Sequence, residues 1–298
     1  MAEKKEKPTI DLSKLNNAGA LAEMGDENVV KAVKDSKRVP KAGKKKKGKF
    51  NFIKPVRVPL PSKGLLYKTD DEDINEGFIL LTKMTPKDEE VLSTKEFLDK
   101  GVATRMILDN CIQSDIDAKD LLTFDSNYLL FKLRAMSYGT DYKISMKCPE
   151  CGGKFKSTVD ISKLSFEEIP DGFVEPIEIK LEDTGYTVTS MLPRMFHTER
   201  LYEVKKAKKI REGEVDTSLT DNMLALTLGI YDDEGLEVPR ADWREFFESI
   251  PTSDRAQITD ETKLDSGIDK IDGLKCPYAN CQEDFSGSVP ITAEFFRL

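Results

Sequence analysis

Two short cysteine segments far apart in the chain constrain its folding more than any other feature. One reads Lys147-Cys148-Pro149-Glu150-Cys151-Gly152-Gly153-Lys154-Phe155, the other Lys275-Cys276-Pro277-Tyr278-Ala279-Asn280-Cys281-Gln282-Glu283-Asp284-Phe285. Each has Lys-Cys-Pro, a second cysteine, and a phenylalanine four residues beyond it. A zinc ion takes four ligands in a tetrahedron at about 2.3 Å from each sulfur, and a turn of two to four residues places two thiolates on one side of it. Proline and glycine shape such a turn, and backbone amides directed at the sulfurs steady them. If both pairs share one ion, the middle of the chain and its end must meet.

Alternating segments flank both knuckles: Tyr142–Met146 and Lys154–Val159 around the first, Phe285–Val289 after the second. That is the layout of a zinc ribbon, two hairpins clamping one metal ion. The knuckles stand 124 residues apart, so the ribbon is split by an insertion, which is tolerable because closure entropy grows only logarithmically with loop length. A single Cys-x-x-Cys is also a redox motif, and unbound or disulfide-linked cysteines are the plain alternative. The pairing favours a structural zinc held by Cys148, Cys151, Cys276 and Cys281. Four thiolates close the coordination shell against water, which argues against a catalytic metal.

Charge divides the chain. The formal net charge is −8, yet residues 1–50 hold fourteen Lys and Arg against seven acids, and eight of the thirteen residues from Lys37 to Lys49 are basic. Such a segment buries too little apolar surface to offset its ordering entropy. It is expected to be a disordered basic arm, with one short helix near Glu27–Lys37, that either docks on an acidic partner or phosphates or serves as a solvated linker. The rest is acidic, so nucleic-acid binding by the ribbon is disfavoured. No signal peptide is evident, and no segment approaches the roughly 18 uninterrupted apolar residues of a membrane span. Cysteines without an export signal point to a reducing compartment.

The spacing of apolar residues predicts strands at Phe52–Leu60 and Gly77–Met84, then a helix after Thr85, which stands before Pro86 with Asp88 three residues on. Further helices are expected at Thr104–Ile112 and Ser126–Tyr138. The second is apolar on almost every side, which marks it as a core helix ended by Gly139. Next come a hairpin, Val174–Leu181 with Tyr186–Leu192, and helices at Thr198–Ile210, Thr220–Leu228, Ala241–Ser249 and Thr252–Lys263. The expected class is α+β: the arm (1–50), a mixed N-terminal region (51–140), a split four-cysteine zinc ribbon (141–162 plus 271–298), and a mostly helical insertion (163–270).

Other residues resemble chemistry without its context. His197, the only histidine, sits where a helix should start and suits a capping or surface role better than that of a catalytic base. Cys111, at a helix end, reads as a packed core thiol. The acidic runs Asp70-Asp71-Glu72-Asp73 and Asp232-Asp233-Glu234 read as turns rather than an oxygen-ligated metal site or an acid–base pair. Trp243, Phe246 and Phe247 mark the apolar face of a short helix. No glycine-rich phosphate loop and no Gly-x-Ser-x-Gly is present.

Several segments in order resemble baseplate hub proteins of contractile-tailed, T-even-type phages. They are Leu60-Pro61-Ser62-Lys63-Gly64-Leu65-Leu66-Tyr67, Asn110-Cys111-Ile112, Phe124-Asp125 with Tyr128-Leu129, Arg134-Ala135-Met136-Ser137-Tyr138-Gly139, the Cys-Pro-Glu-Cys-Gly knuckle, and Val289-Pro290-Ile291-Thr292-Ala293-Glu294-Phe295-Phe296. The resemblance implies a non-enzymatic virion protein, made in the host cytoplasm and built into the tail baseplate. Its partners would be other baseplate and tail proteins, with no small-molecule substrate. An assembly chaperone that leaves before the particle is complete is the alternative, and a zinc-ribbon nucleic-acid-binding protein a more distant one.

Overall fold

The computed structural model describes residues 52–99, 101–207, 215–264 and 267–296. The basic arm and the helix expected at Glu27–Lys37 lie outside them. Within them the fold is α+β, four small antiparallel sheets interleaved with helices.

Strand β1 (Val56–Pro59) pairs with β2 (Phe78–Leu81), and the short helix α1 (Glu72–Asn75) lies between them in sequence. Both strands are shorter than their apolar patterns suggested. Pro55 lacks the N–H that would extend β1, and Thr82 leaves β2 to donate to the Cys111 carbonyl. Helix α2 (Pro86–Ser93) begins at the anticipated cap: the Thr85 N–H donates to the Asp88 carboxylate at 2.7 Å. Asn110 donates to the same carboxylate from α4 (Ala103–Cys111), which follows α3 (Lys95–Asp99).

Helix α5 (Thr123–Tyr138) is the core helix, with Tyr128, Leu129, Phe131 and Leu133 buried and Gly139 closing it at φ 89°. Two charged residues are buried on it as well. Asp125 accepts from the Ser62 N–H at 2.9 Å, from the Ser62 hydroxyl and from the Tyr67 hydroxyl, pinning the 61–67 loop to the helix. Gly64 in that loop has φ 71°, and a Cβ there would lie 1.9 Å from the Ile74 carbonyl oxygen. Arg134 donates to the carbonyls of Phe295, at 2.9 Å, and Gly139, at 2.8 Å, and so holds the C-terminal 3-10 turn (Ala293–Phe296) against the end of α5.

The first cysteine-bearing hairpin is β3 (Asp141–Lys147) with β4 (Lys154–Asp160). The inserted part carries its four expected helices and one strand more than expected. Strands β5 (Ile177–Lys180) and β6 (Thr187–Ser190) form the expected hairpin, but β7 (Thr227–Tyr231) joins them as a third strand. Helix α7 (Ser218–Leu226) therefore stops before the Leu228 anticipated for it. Thr227, Ile230 and Tyr231 suit a pleated, half-buried surface, and an available edge on β6 overrode the helical reading. Helices α6 (Met195–Ala207), α8 (Trp243–Ser249) and α9 (Thr252–Thr262) complete the insertion. Buried Asp254 of α9 accepts from the backbone of Asp183 and Thr184, which fixes the β5–β6 turn. The second cysteine-bearing hairpin, β8 (Lys270–Lys275) with β9 (Asp284–Ser288), shares one apolar core with α5 and the first hairpin.

Asp125 serves three donors with one buried carboxylate, and removing it leaves all three without an acceptor. Asp125→Ala should cost about 3–5 kcal/mol in urea unfolding. A loss under about 1 kcal/mol would show that the loop is held by other contacts.

Candidate metal centre

Each pair of cysteines sits at the tip of a hairpin. In the first, the Cys148 N–H donates to the Gly153 carbonyl and the Gly152 N–H to the Cys148 carbonyl, both at 3.0 Å, while the Gly153 N–H points at the Cys151 sulfur at 3.4 Å. In the second, the Cys276 N–H donates to the Glu283 carbonyl, and the Cys281 and Gln282 N–H groups both donate to the Tyr278 carbonyl. The residue after the second cysteine is left-handed in each, Gly152 at φ 69° and Gln282 at φ 55°. The wider second knuckle thus ends in the same backbone turn as the first.

Three contacts clasp the hairpins together. The Tyr278 hydroxyl donates to the Lys154 carbonyl at 2.6 Å, and its ring lies over Gly153, where a Cβ would come within 2.3 Å of a ring carbon. Gly287 lies against Met146 with as little room. The paired phenylalanines, Phe155 and Phe285, meet edge to face with centroids 6.2 Å apart, a favourable aromatic geometry. The repeated Cys-x4-Phe spacing therefore records one shared contact between the two halves.

The four sulfurs converge: Cys148 to Cys281 is 3.8 Å, Cys151 to Cys276 is 3.7 Å, and all lie within 4.8 Å of one another. A tetrahedron with about 2.3 Å from centre to sulfur has edges of about 3.8 Å. A disulfide needs about 2.05 Å, so these spacings suit a shared metal ion and not paired cystines. All four cysteines are unbridged, as is buried Cys111 in the main core. Cys148 and Cys276 are sealed from solvent, whereas Cys151 is exposed. The Cys151 backbone N–H draws the Cys148 thiol down to about 7, and burial pushes Cys276 up to about 12. Binding a metal there displaces protons, so affinity must fall as pH falls.

The remaining candidates take structural positions. His197 is buried, and its Nδ1 accepts from the Arg194 N–H at 3.1 Å at the start of α6, so it caps the helix from within and not at the surface. Burial, with Arg194 and Arg200 nearby, lowers its pKa to about 3. Asp71 caps α1, and Asp232 accepts from the N–H groups of Glu234 and Leu236 to close a turn. Trp243 and Phe247 are buried in the core of the insertion, with Phe246 packed against it. The sequence alone assigns no role to Asp125, Arg134 or Tyr278, though all three stand in the segments quoted above; the signal for the first two is a charge at a helix otherwise apolar on almost every side.

Two outcomes test this arrangement. Stripping the metal with a chelator should remove one ion per chain by elemental analysis. It should also lower the melting temperature by about 10 °C, from a stabilisation of about 4 kcal/mol at a free metal concentration a thousandfold above Kd; no stoichiometric metal would refute a shared site. Neutral His197 favours the fold above its ordinary pKa of 6.5, and this advantage is lost as pH falls from 6.5 toward about 3. Stability should therefore drop by about 1.4 kcal/mol per pH unit across that window. His197→Gln, which cannot take up the proton, should flatten the slope in urea titrations.

Neither a curated protein nor a solved structure matches the chain. A family model does match, across residues 67–297, from the hydroxyl that bonds Asp125, through both knuckles, to the turn held by Arg134. That span takes in most of the chain, which therefore belongs to the T4 bacteriophage base plate protein family.

Proposed function

We propose that this chain is a structural subunit of the hub region of a contractile-tail baseplate, made in the host cytoplasm, stiffened by one structural zinc and docked to other baseplate subunits. The observation that carries the reading is four thiols at tetrahedral spacing, inside a match to a baseplate family. Zinc is favoured among metals because a closed sulfur shell suits a borderline-soft ion without redox chemistry. Cys148, Cys151, Cys276 and Cys281 would hold it. The chain then divides as a basic arm, an N-terminal mixed region, a split ribbon and an insertion, with the ion closing the ribbon.

A mechanical role is preferred to a catalytic one because the one histidine and the buried carboxylate of the core helix are both committed to the fold. His197 is sealed in with a depressed proton affinity, and the Asp125 carboxylate is taken up by three donors. Among the described residues no helix is long and apolar enough to cross a membrane.

Mass spectrometry of purified particles tests the role directly. Peptides of this chain at a fixed copy number support a structural subunit; their absence from particles, with presence in assembly intermediates, would indicate an assembly factor instead.

A further inference from the structure

Between α7, α9 and the end of β6 lies a cleft of about 220 Å³ that the metal centre and its ribbon do not use. Pro193, Met223, Leu226, Ile258 and Leu264 make its walls apolar. Ser190 also lines it: this residue is 1% exposed, and its hydroxyl oxygen has no hydrogen-bond partner. A buried hydroxyl left unpaired costs free energy that a ligand acceptor or donor would recover. At the rim stand Leu219, 58% exposed, and the cations Arg255 and Lys263, which make no ion pair among the described residues.

We infer that this cleft docks a peptide segment of a neighbouring subunit carrying one large apolar side chain beside an acidic residue. The volume argues for a side chain, since small-molecule pockets run to about 300–1,000 Å³. A single anchored aromatic or aliphatic residue in a desolvated pocket is the usual energetic centre of a protein interface. The two cations select acidic flanks by charge complementarity. The exposed Leu219 extends the apolar surface outward, which gives the segment a second contact. Ser190 supplies a hydrogen bond at the bottom that a purely apolar anchor would leave unmade. That the neighbour is a baseplate subunit rests on the function proposed above; the chemistry of the cleft does not.

The test uses full-length, metal-loaded protein panned against a random peptide-display library, with Arg255→Glu/Lys263→Glu and Leu219→Asp variants that melt at the wild-type temperature. The expected result is enrichment of peptides pairing a large apolar residue with Asp or Glu, whose affinity falls at least tenfold on either variant. Peptides that bind all three proteins equally, peptides with basic flanks, or no enrichment would each overturn the inference. Hydroxyl-radical footprinting should also show Leu219 protected in purified particles relative to the isolated chain, and equal reactivity would overturn docking at this cleft. Enrichment of the expected peptides, with the chain absent from particles, would sink the baseplate reading alone.

Discussion

Four sulfur atoms at the spacing of tetrahedral edges tie two hairpins that are separated by most of the insertion. Without an ion, burying two thiols beside two others gains little, because each hairpin has only a small apolar face. The packing at the clasp is correspondingly strict. Gly153 and Gly287 have no side chain because Tyr278 and Met146 occupy that space, and Phe155 meets Phe285 across the join. A metal ion held at this point would do the work that a larger core would otherwise have to do.

The clasp is one of two constraints that bring the end of the chain to its middle. Arg134 of α5 holds the carbonyl of Phe295, and the Phe295 ring packs on Phe131 and Tyr142. Both hairpins and the C-terminal turn thus pack on the same helix, which Asp125 ties in turn to the 61–67 loop. Partly buried ion pairs continue this wiring into the insertion: Arg105 of α4 meets Glu199 of α6 at 2.7 Å, and Arg194 meets Glu175 at 2.6 Å. A chain braced in this way resists deformation, a property that the proposed baseplate role would use.

The resembling segments of the sequence turn out to be these braces. Ser62 and Tyr67 satisfy Asp125, Asn110 satisfies Asp88, and Arg134 satisfies Phe295 and Gly139. Their order along the chain is the signature of a polar framework inside an apolar core, where each buried donor or acceptor must find a particular partner.

The sequence by itself determined what depends on short-range geometry. Ligand identity and knuckle spacing marked all four cysteines, the Thr85–Pro86–Asp88 cap placed α2, and the nearly all-round apolar pattern marked α5 as the core helix. Tertiary structure alone decided what depends on partners distant in the chain. Residues 227–231 became a strand because β6 offered an edge, and His197 went inside because the start of α6 docks beside the start of α5, where the Met195 N–H donates to the Leu121 carbonyl. The Phe155–Phe285 contact, the sealing of Asp125 and Arg134, and the cleft beside Ser190 arise only when remote elements meet. Local propensities amount to tenths of a kcal/mol per residue, whereas an unpaired buried polar group costs one to several, so the long-range partner prevails wherever the two disagree.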